Sequence, residues 1–152
     1  PLSPRALCRF AARVEPTNPT LIPGACLFDP DGGRAMGQRP LPRLRIRPLG
    51  FGASVDTVRS RAVSPAWTRC HRRDINAIVA MATAALDAGS ATLLARASTR
   101  SALLMAERTG RTDIGLAWAK ARRCGALGIA ASHSGTSIIA LHALDDREVA
   151  CG

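Results

Sequence analysis

The stretch GALGIAASHSGTSIIALHAL, Gly125 to Leu144, decides how this chain is read. A small-residue apolar run, Leu127 to Ala131, leads into it, and a second apolar run, Ile138 to Leu144, leads out. Between them Ser132-His133-Ser134-Gly135-Thr136-Ser137 gathers hydroxyls, an imidazole and a glycine. Nowhere else does the sequence set so many hydrogen-bonding groups between two hydrophobic arms. The pattern is strand, turn, strand. Two readings fit it. One is a surface turn between strands, the commoner use of such residues. The other is a glycine turn at a phosphate or substrate site, held by two buried elements.

The 152 residues are one domain's worth of chain, and 47% of them are hydrophobic, enough for a core. Aromatics make up only 3% and Tyr is absent, so that core is expected to consist of Ala, Leu, Ile and Val. The formal charge is +10, and Lys120 is the single lysine among 21 basic residues. Such a balance suits anionic partners: nucleic acid, nucleotides or acidic membranes. It is also what the coding bias of a GC-rich genome produces, and the Arg residues are spread along the chain rather than gathered in a tail. Cys8, Cys26, Cys70, Cys124 and Cys151 stand far apart with no C-x-x-C spacing. Neither a zinc ribbon nor a redox pair is indicated and no metal site is expected. The cysteines read as reduced core thiols of a cytoplasmic protein. No apolar run reaches the ~18 residues of a membrane-spanning helix, so no membrane partner is expected. The first residues lack the charged-then-apolar pattern of a signal peptide. The chain opens on Pro1 without an initiator Met and stops at Gly152 inside a starting element, which leads us to expect a fragment of a longer protein.

From the beginning, Ser3-Pro4 opens a helix, Ser as N-cap and Pro at the first helical position. Leu7, Phe10, Ala11 and Val14 recur at helical spacing and form its expected buried face. Pro16 stops it. Pro16, Pro19 and Pro23 then fix the backbone and remove donors. Glu15, Thr17 and Asn18 therefore sit on a stiff loop, either a rigid connector or a site. Ala25-Cys26-Leu27-Phe28 reads as a short buried strand, and Asp29-Pro30-Asp31-Gly32-Gly33 as a turn. A loop through Pro40 and Pro42 leads to Leu44-Arg45-Ile46-Arg47, where the period is two. Leu44 and Ile46 are expected inward, with Arg43, Arg45 and Arg47 on the outer face. Gly50 to Val58 reads as a glycine turn and a brief strand. Arg59 to Arg73 reads as irregular and basic, anchored by Trp67.

Helical patterning then dominates. Asp74 is the expected cap of a helix with Ile75, Ile78, Val79, Ala82, Ala85 and Leu86 inward, ended by Gly89. Ser90 begins a second, with Leu93, Leu94, Ala97, Ser101, Leu104 and Met105 on one side, closed by Gly110. Thr112 or Asp113 caps a third, carrying Ile114, Leu116, Ala117, Trp118 and Ala121 up to Gly125. Ala-rich faces allow close helix packing. Asp145-Asp146 starts a helix that the chain does not finish. Segregated strands and helices argue an α+β fold rather than a doubly wound parallel sheet. His71 and His142 have no partners in sequence and read as structural.

Six short motifs, in this order, resemble the middle and C-terminal parts of the GHMP kinase superfamily, most closely the L-threonine kinases of cobalamin synthesis and propanediol utilisation. They are Glu15-Pro16-Thr17-Asn18, Pro23-Gly24, Leu27-Phe28-Asp29, Val55-Asp56-Thr57, Ser98-Thr99-Arg100-Ser101 and Ser132-His133-Ser134-Gly135-Thr136. The resemblance implies a ferredoxin-like α+β C-terminal domain over 25–152, truncated at its end, preceded at 1–24 by the close of an N-terminal kinase domain. It implies an ATP-dependent kinase that phosphorylates a small-molecule alcohol, the hydroxyl of L-threonine, with ATP and Mg²⁺ as cofactors. Glu15, Thr17 and Asn18 would be catalytic. Ser132, His133, Ser134, Gly135 and Thr136 would shape the phosphate and substrate pocket, where a Gly turn offers backbone N–H groups to an oxyanion. Two departures qualify what the resemblance implies. The family's Gly-rich Ser-Ser ATP loop is absent from these 152 residues, so the chain alone is expected to be inactive and to need the missing N-terminal part of the same protein. Asn18 stands where the family has Asp, and it can orient a hydroxyl but cannot take its proton.

Two other classes remain. A non-catalytic basic module for nucleic acid would use Arg43, Arg45 and Arg47 with Arg69, His71, Arg72 and Arg73, although stacking aromatics are nearly missing. A degenerate kinase remnant would keep the fold without the activity.

Overall fold

Ser3 starts the first helix, α1 (Pro4–Val14): its Oγ accepts the Ala6 N–H at 3.3 Å and its carbonyl the Leu7 N–H at 3.0 Å. This is the N-cap expected from Ser-Pro. The computed structural model describes residues 3–14, 22–29, 32–51, 65–132 and 137–144, and the chain divides into two units, Pro1–Pro42 and Arg43–Gly152.

In the first unit α1 packs on a hairpin of β1 (Ala25–Asp29) and β2 (Arg34–Arg39). Asp29 Oδ1 accepts the Gly32 N–H at 3.0 Å across the turn, and its Oδ2 lies 3.4 Å from Arg34. Gly33 adopts φ 61°, and a Cβ there would stand 2.7 Å from the Cys8 carbonyl oxygen. This backbone approach selects the small face of the helix. Cys8 is 1% exposed, whereas Leu7 and Phe10, expected inward, are 37% and 63% exposed. β1 is a strand as expected but not a buried one, since Leu27 is 59% exposed. β2 falls where a loop was expected. Its sequence, RAMGQR, has no apolar alternation, and it is a strand because its backbone completes the ladder to β1.

The second unit runs β3 (Arg45–Phe51), α2 (Pro65–Cys70), α3 (Arg72–Asp87), α4 (Ala91–Thr109), α5 (Asp113–Arg123), β4 (Gly128–Ala131) and β5 (Ser137–His142). The strands form an antiparallel sheet in the order β3-β5-β4. The protein is thus α+β, as the segregated pattern argued. Ala102, Ala106, Ile114, Ala121, Ala126, Ile129, Ile138 and Ala140 make the core between α4, α5 and the sheet. Ser90 caps α4, its Oγ accepting the Leu93 N–H at 3.2 Å, and Gly89, Gly110 and Gly125 stand just past helix ends as expected.

Several expectations change. Pro65–Cys70 is helical where an irregular segment was expected. α3 begins at Arg72, with Asp74 inside its first turn rather than at its cap. Thr112 occupies the α5 cap position without a side-chain cap bond. Arg111 instead reaches Asp113 at 2.6 Å, and this hydrogen-bonded pair holds the Asp113 carboxyl below the usual range. The buried residues of α4 are Ala95, Ala97, Thr99, Ala102, Met105 and Ala106, not its leucines. The reason is distance: the helix lies so close to β4 that only small side chains fit between.

The expected β3 faces are reversed. Arg45, half-buried, pairs with His142 and Arg47 with Ala140, while Ile46 pairs with Leu141 and is 58% exposed. Register is set by β5, and β3 is an edge strand, so Arg47 can border the helix layer while staying exposed. Arg47 lines a cavity with Lys120 and His142 there. Further along, Leu49 packs on the core. Cys8 is a buried free thiol as expected, whereas Cys26 is half-buried and Cys70 exposed, both free, and Cys124 is disulfide-bonded. Among the described residues no helix is long and apolar enough to cross a membrane. The Val55-Asp56-Thr57 and Asp145-Asp146 readings lie outside the described residues.

Gly128 and Gly115 make opposite predictions. A Cβ at Gly128 would run into the Ala95 carbonyl, whereas one at Gly115 in α5 meets nothing within 4 Å. Gly128→Ala is expected to destabilise by about 2 kcal/mol. Gly115→Ala is expected to stabilise by about 0.5–1 kcal/mol. Urea unfolding of the two variants checks both signs.

Candidate functional site

The polar turn is the loop of the β4–β5 hairpin. Leu127 N–H donates to the Leu141 carbonyl at 2.8 Å near one end, and Ser132 N–H donates to the Ser137 carbonyl at 3.0 Å at the other. Two antiparallel strands therefore flank the polar segment, as expected. Ser132, the described member of the predicted phosphate-binding set, is exposed at the end of β4. His133, Ser134, Gly135 and Thr136 lie outside the described residues, as do Glu15, Thr17 and Asn18.

The base of this hairpin is held from the side by α4. β4 is an edge of the sheet, and such a strand carries N–H groups that no neighbouring strand takes. Thr99 Oγ1 accepts the Ile129 N–H at 2.9 Å and donates to the Ala95 carbonyl at 2.8 Å. Thr99 is 7% exposed and Ile129 is fully buried, so this hydroxyl satisfies a donor that has no access to water. The helix comes this near only because Gly128 has no side chain to oppose the Ala95 carbonyl.

The segment Ser98-Thr99-Arg100-Ser101 divides its work by helical position. Thr99 faces β4. Arg100 points outward, 3.8 Å from Asp74. Ser98 and Ser101 line a groove of about 230 Å³ with Ile78, Leu94 and Ala97, bounded by Ala131 just before the turn. The described wall beside the turn thus consists of hydroxyls and small apolar groups. It can position a small polar molecule but carries no acid or base of its own. Among the described residues no cluster of His, Cys, Asp or Glu could hold a metal ion, and this groove has no cationic lining for a triphosphate. The described residues therefore do not by themselves fit ATP and Mg²⁺.

Sequence reasoning passed over two features. Thr99 looked like one polar residue of a motif. Its signal was a Thr inside an alanine-rich helix, where back-bonding to the carbonyl four residues earlier is the usual outcome. His71 read as partnerless, yet its ring stacks on Trp67 with centroids 4.1 Å apart. The spacing of four between them was the available sign. His71 Nδ1 donates to the Trp67 carbonyl at 2.9 Å, and its Nε2 lies 3.4 Å from Glu107. Both partners are acceptors, so only the doubly protonated ring satisfies them together. The Trp67 carbonyl first, then Glu107, raise the His71 pKa against the opposing effect of burial. His142 is 5% exposed, on the sheet beside the Arg47 cavity.

No family model, curated protein or solved structure matches the chain.

Thr99→Val should destabilise by about 1–3 kcal/mol, because it orphans the Ile129 N–H at nearly constant volume, and Thr99→Ser should retain most of the stability. Urea unfolding measures both. His71 should titrate above its ordinary 6.5 by NMR, and Glu107→Gln should lower the midpoint without returning it fully. A raised folded pKa means that these contacts stabilise the fold fully below the unfolded value. That stability is lost as pH rises through the folded value.

Proposed function

We propose that the chain is part of an ATP-dependent small-molecule kinase of the GHMP type, transferring a phosphoryl group to an alcohol, foremost the hydroxyl of L-threonine. The observation that carries this reading is the β4–β5 hairpin, whose loop has the sequence Ser-His-Ser-Gly-Thr and whose base is held against α4 through the Ser98–Ser101 segment. Both segments belong to the ordered motifs that resemble the superfamily. The strand order β3-β5-β4, with helices in the first crossover, is also the order taken by the first three strands of a βαββαβ ferredoxin-like sheet. In this reading residues 1–24 close a preceding domain and 25–152 belong to the C-terminal one, in a cytoplasmic enzyme.

The chemistry asked of the described residues is positioning. Phosphoryl transfer needs little covalent help from a protein, and depends on orientation and on stabilising charge at the transferred group. Ser98 and Ser101 would orient a polar acceptor beside the turn, and the turn's backbone would face the anion. ATP and Mg²⁺ would be held by residues other than the described ones, including a Gly-rich loop outside these 152 residues. By the resemblance Glu15, Thr17 and Asn18 would be the catalytic residues, with Asn18 able to orient a hydroxyl but not to deprotonate it.

The test is an NMR titration of the isotope-labelled chain with L-threonine and with L-valine, which replaces the hydroxyl by a methyl. Shifts are expected at Ser98, Ser101 and Ser132 to Ser137, with L-threonine preferred about tenfold through its hydroxyl. ADP release by residues 1–152 is expected to stay at background. Equal responses to the two amino acids, or none, would overturn the acceptor assignment. Submicromolar nucleic-acid binding that falls steeply with salt would favour the basic module instead. Strong ADP release with L-threonine would show that the nucleotide cradle lies within these residues.

A further inference from the structure

Outside the hairpin a groove of about 290 Å³ runs between α2, α3 and α4. Trp67, Ile75, Ile78, Val79, Leu104 and Arg108 supply its walls. Its size is at the small end of ligand sites, and one indole with four aliphatic side chains makes its body apolar. Val79 stands 46% exposed at this groove, an apolar side chain open to solvent.

One charged group lines it. Arg108 is half-buried, its Nη2 2.9 Å from the Met105 sulfur and its Cζ 5.8 Å from the centre of the Trp67 ring. A thioether and an indole are weak partners for a planar fork of five N–H donors. The carboxylates of the neighbouring turns are engaged elsewhere, Glu107 with His71 and Asp74 with Arg100. Among the described residues Arg108 has no carboxylate partner. The indole beside it is also stacked on the His71 ring. The site therefore combines a positioned aromatic ring, an apolar body and a guanidinium without a carboxylate partner among the described residues, and Arg69, Arg72 and Arg73 stand on the adjoining elements.

We propose that this groove binds a small amphiphilic carboxylate, its branched or aromatic body against Trp67, Ile78, Val79 and Leu104 and its carboxylate paired with Arg108. Burial of the body supplies affinity, and the guanidinium–carboxylate pair supplies orientation and selects the charged ligand. The assignment does not depend on the kinase reading.

The probe is phenylpropionate, with phenylpropanol as its uncharged counterpart. Both are titrated into the isotope-labelled chain while the indole N–H signals of Trp67 and Trp118 are followed. Phenylpropionate should shift the Trp67 signal, leave that of Trp118 in place, and bind about tenfold more tightly than the alcohol. Arg108→Gln should remove that preference, and Arg108→Lys should keep part of it. Absence of a Trp67 shift in the unaltered chain, equal affinity for the two probes, or an undiminished preference in Arg108→Gln would overturn the proposal. Should Arg108→Gln fail to fold, as its amide spectrum would reveal, the comparison of the two probes on the unaltered chain decides.

Discussion

The second unit depends on one contact, the hydroxyl of Thr99 between the Ala95 carbonyl and the Ile129 N–H. A β-sheet leaves its edge strand with donors to satisfy, and a helix has no free backbone acceptor to offer in its interior. A threonine resolves both, because its oxygen takes the strand's proton while its own proton returns to the helix. This works only at short range. Gly128 gives the range by lacking a Cβ, and the alanines of α4 keep it. With β4 placed, the ladder to β5 places the hairpin, and the Ser132–Ser137 bond sets where the polar turn begins. The candidate site is thus positioned by a residue that need not touch a ligand.

The scarcity of aromatics shapes the rest. A core of alanine and isoleucine gains its contacts by bringing backbones together rather than by filling space with rings. Larger apolar residues are then displaced outward: Leu116 is 72% exposed and Ile46 58%. The same economy appears in the first unit, where Gly33 admits α1 and Cys8 rather than Phe10 is enclosed. Trp67 is the exception. It stacks on His71, has Arg108 over its ring, and walls the groove between α2, α3 and α4.

The basic charge is distributed rather than massed. Arg34 meets Asp29 and Arg111 meets Asp113 within a few residues, and Arg100 meets Asp74 across α3 and α4. Exposed pairs of this kind contribute little to stability, but they turn charge into short-range order at strand and helix ends. Arg47 borders the cavity beside His142, and Arg108 borders the apolar groove.

The amino-acid sequence by itself determined the helix limits that short-range chemistry controls: Ser3-Pro4 and Ser90 at starts, and Gly89, Gly110 and Gly125 at ends. It also determined the α+β order and the two strands flanking the polar turn, because alternating apolar and turn residues act within a few positions. Of the candidate site it made the polar segment between two strands legible, while Ser98 and Ser101 entered only as members of a motif. What faces what was decided only by the tertiary structure. β2 is a strand through its partner's backbone, and β3 turns Arg45 and Arg47 to the helix side because β5 sets its register. α4 buries alanines instead of leucines because β4 crosses it closely. Thr99 and His71 each have one partner four residues away that a local pattern could show, but Ile129 and Glu107, like Trp67 for Arg108, lie about 30 or 40 residues away in the chain. Burial and partnership are properties of pairs of surfaces, and one strand of sequence specifies only its own half of each.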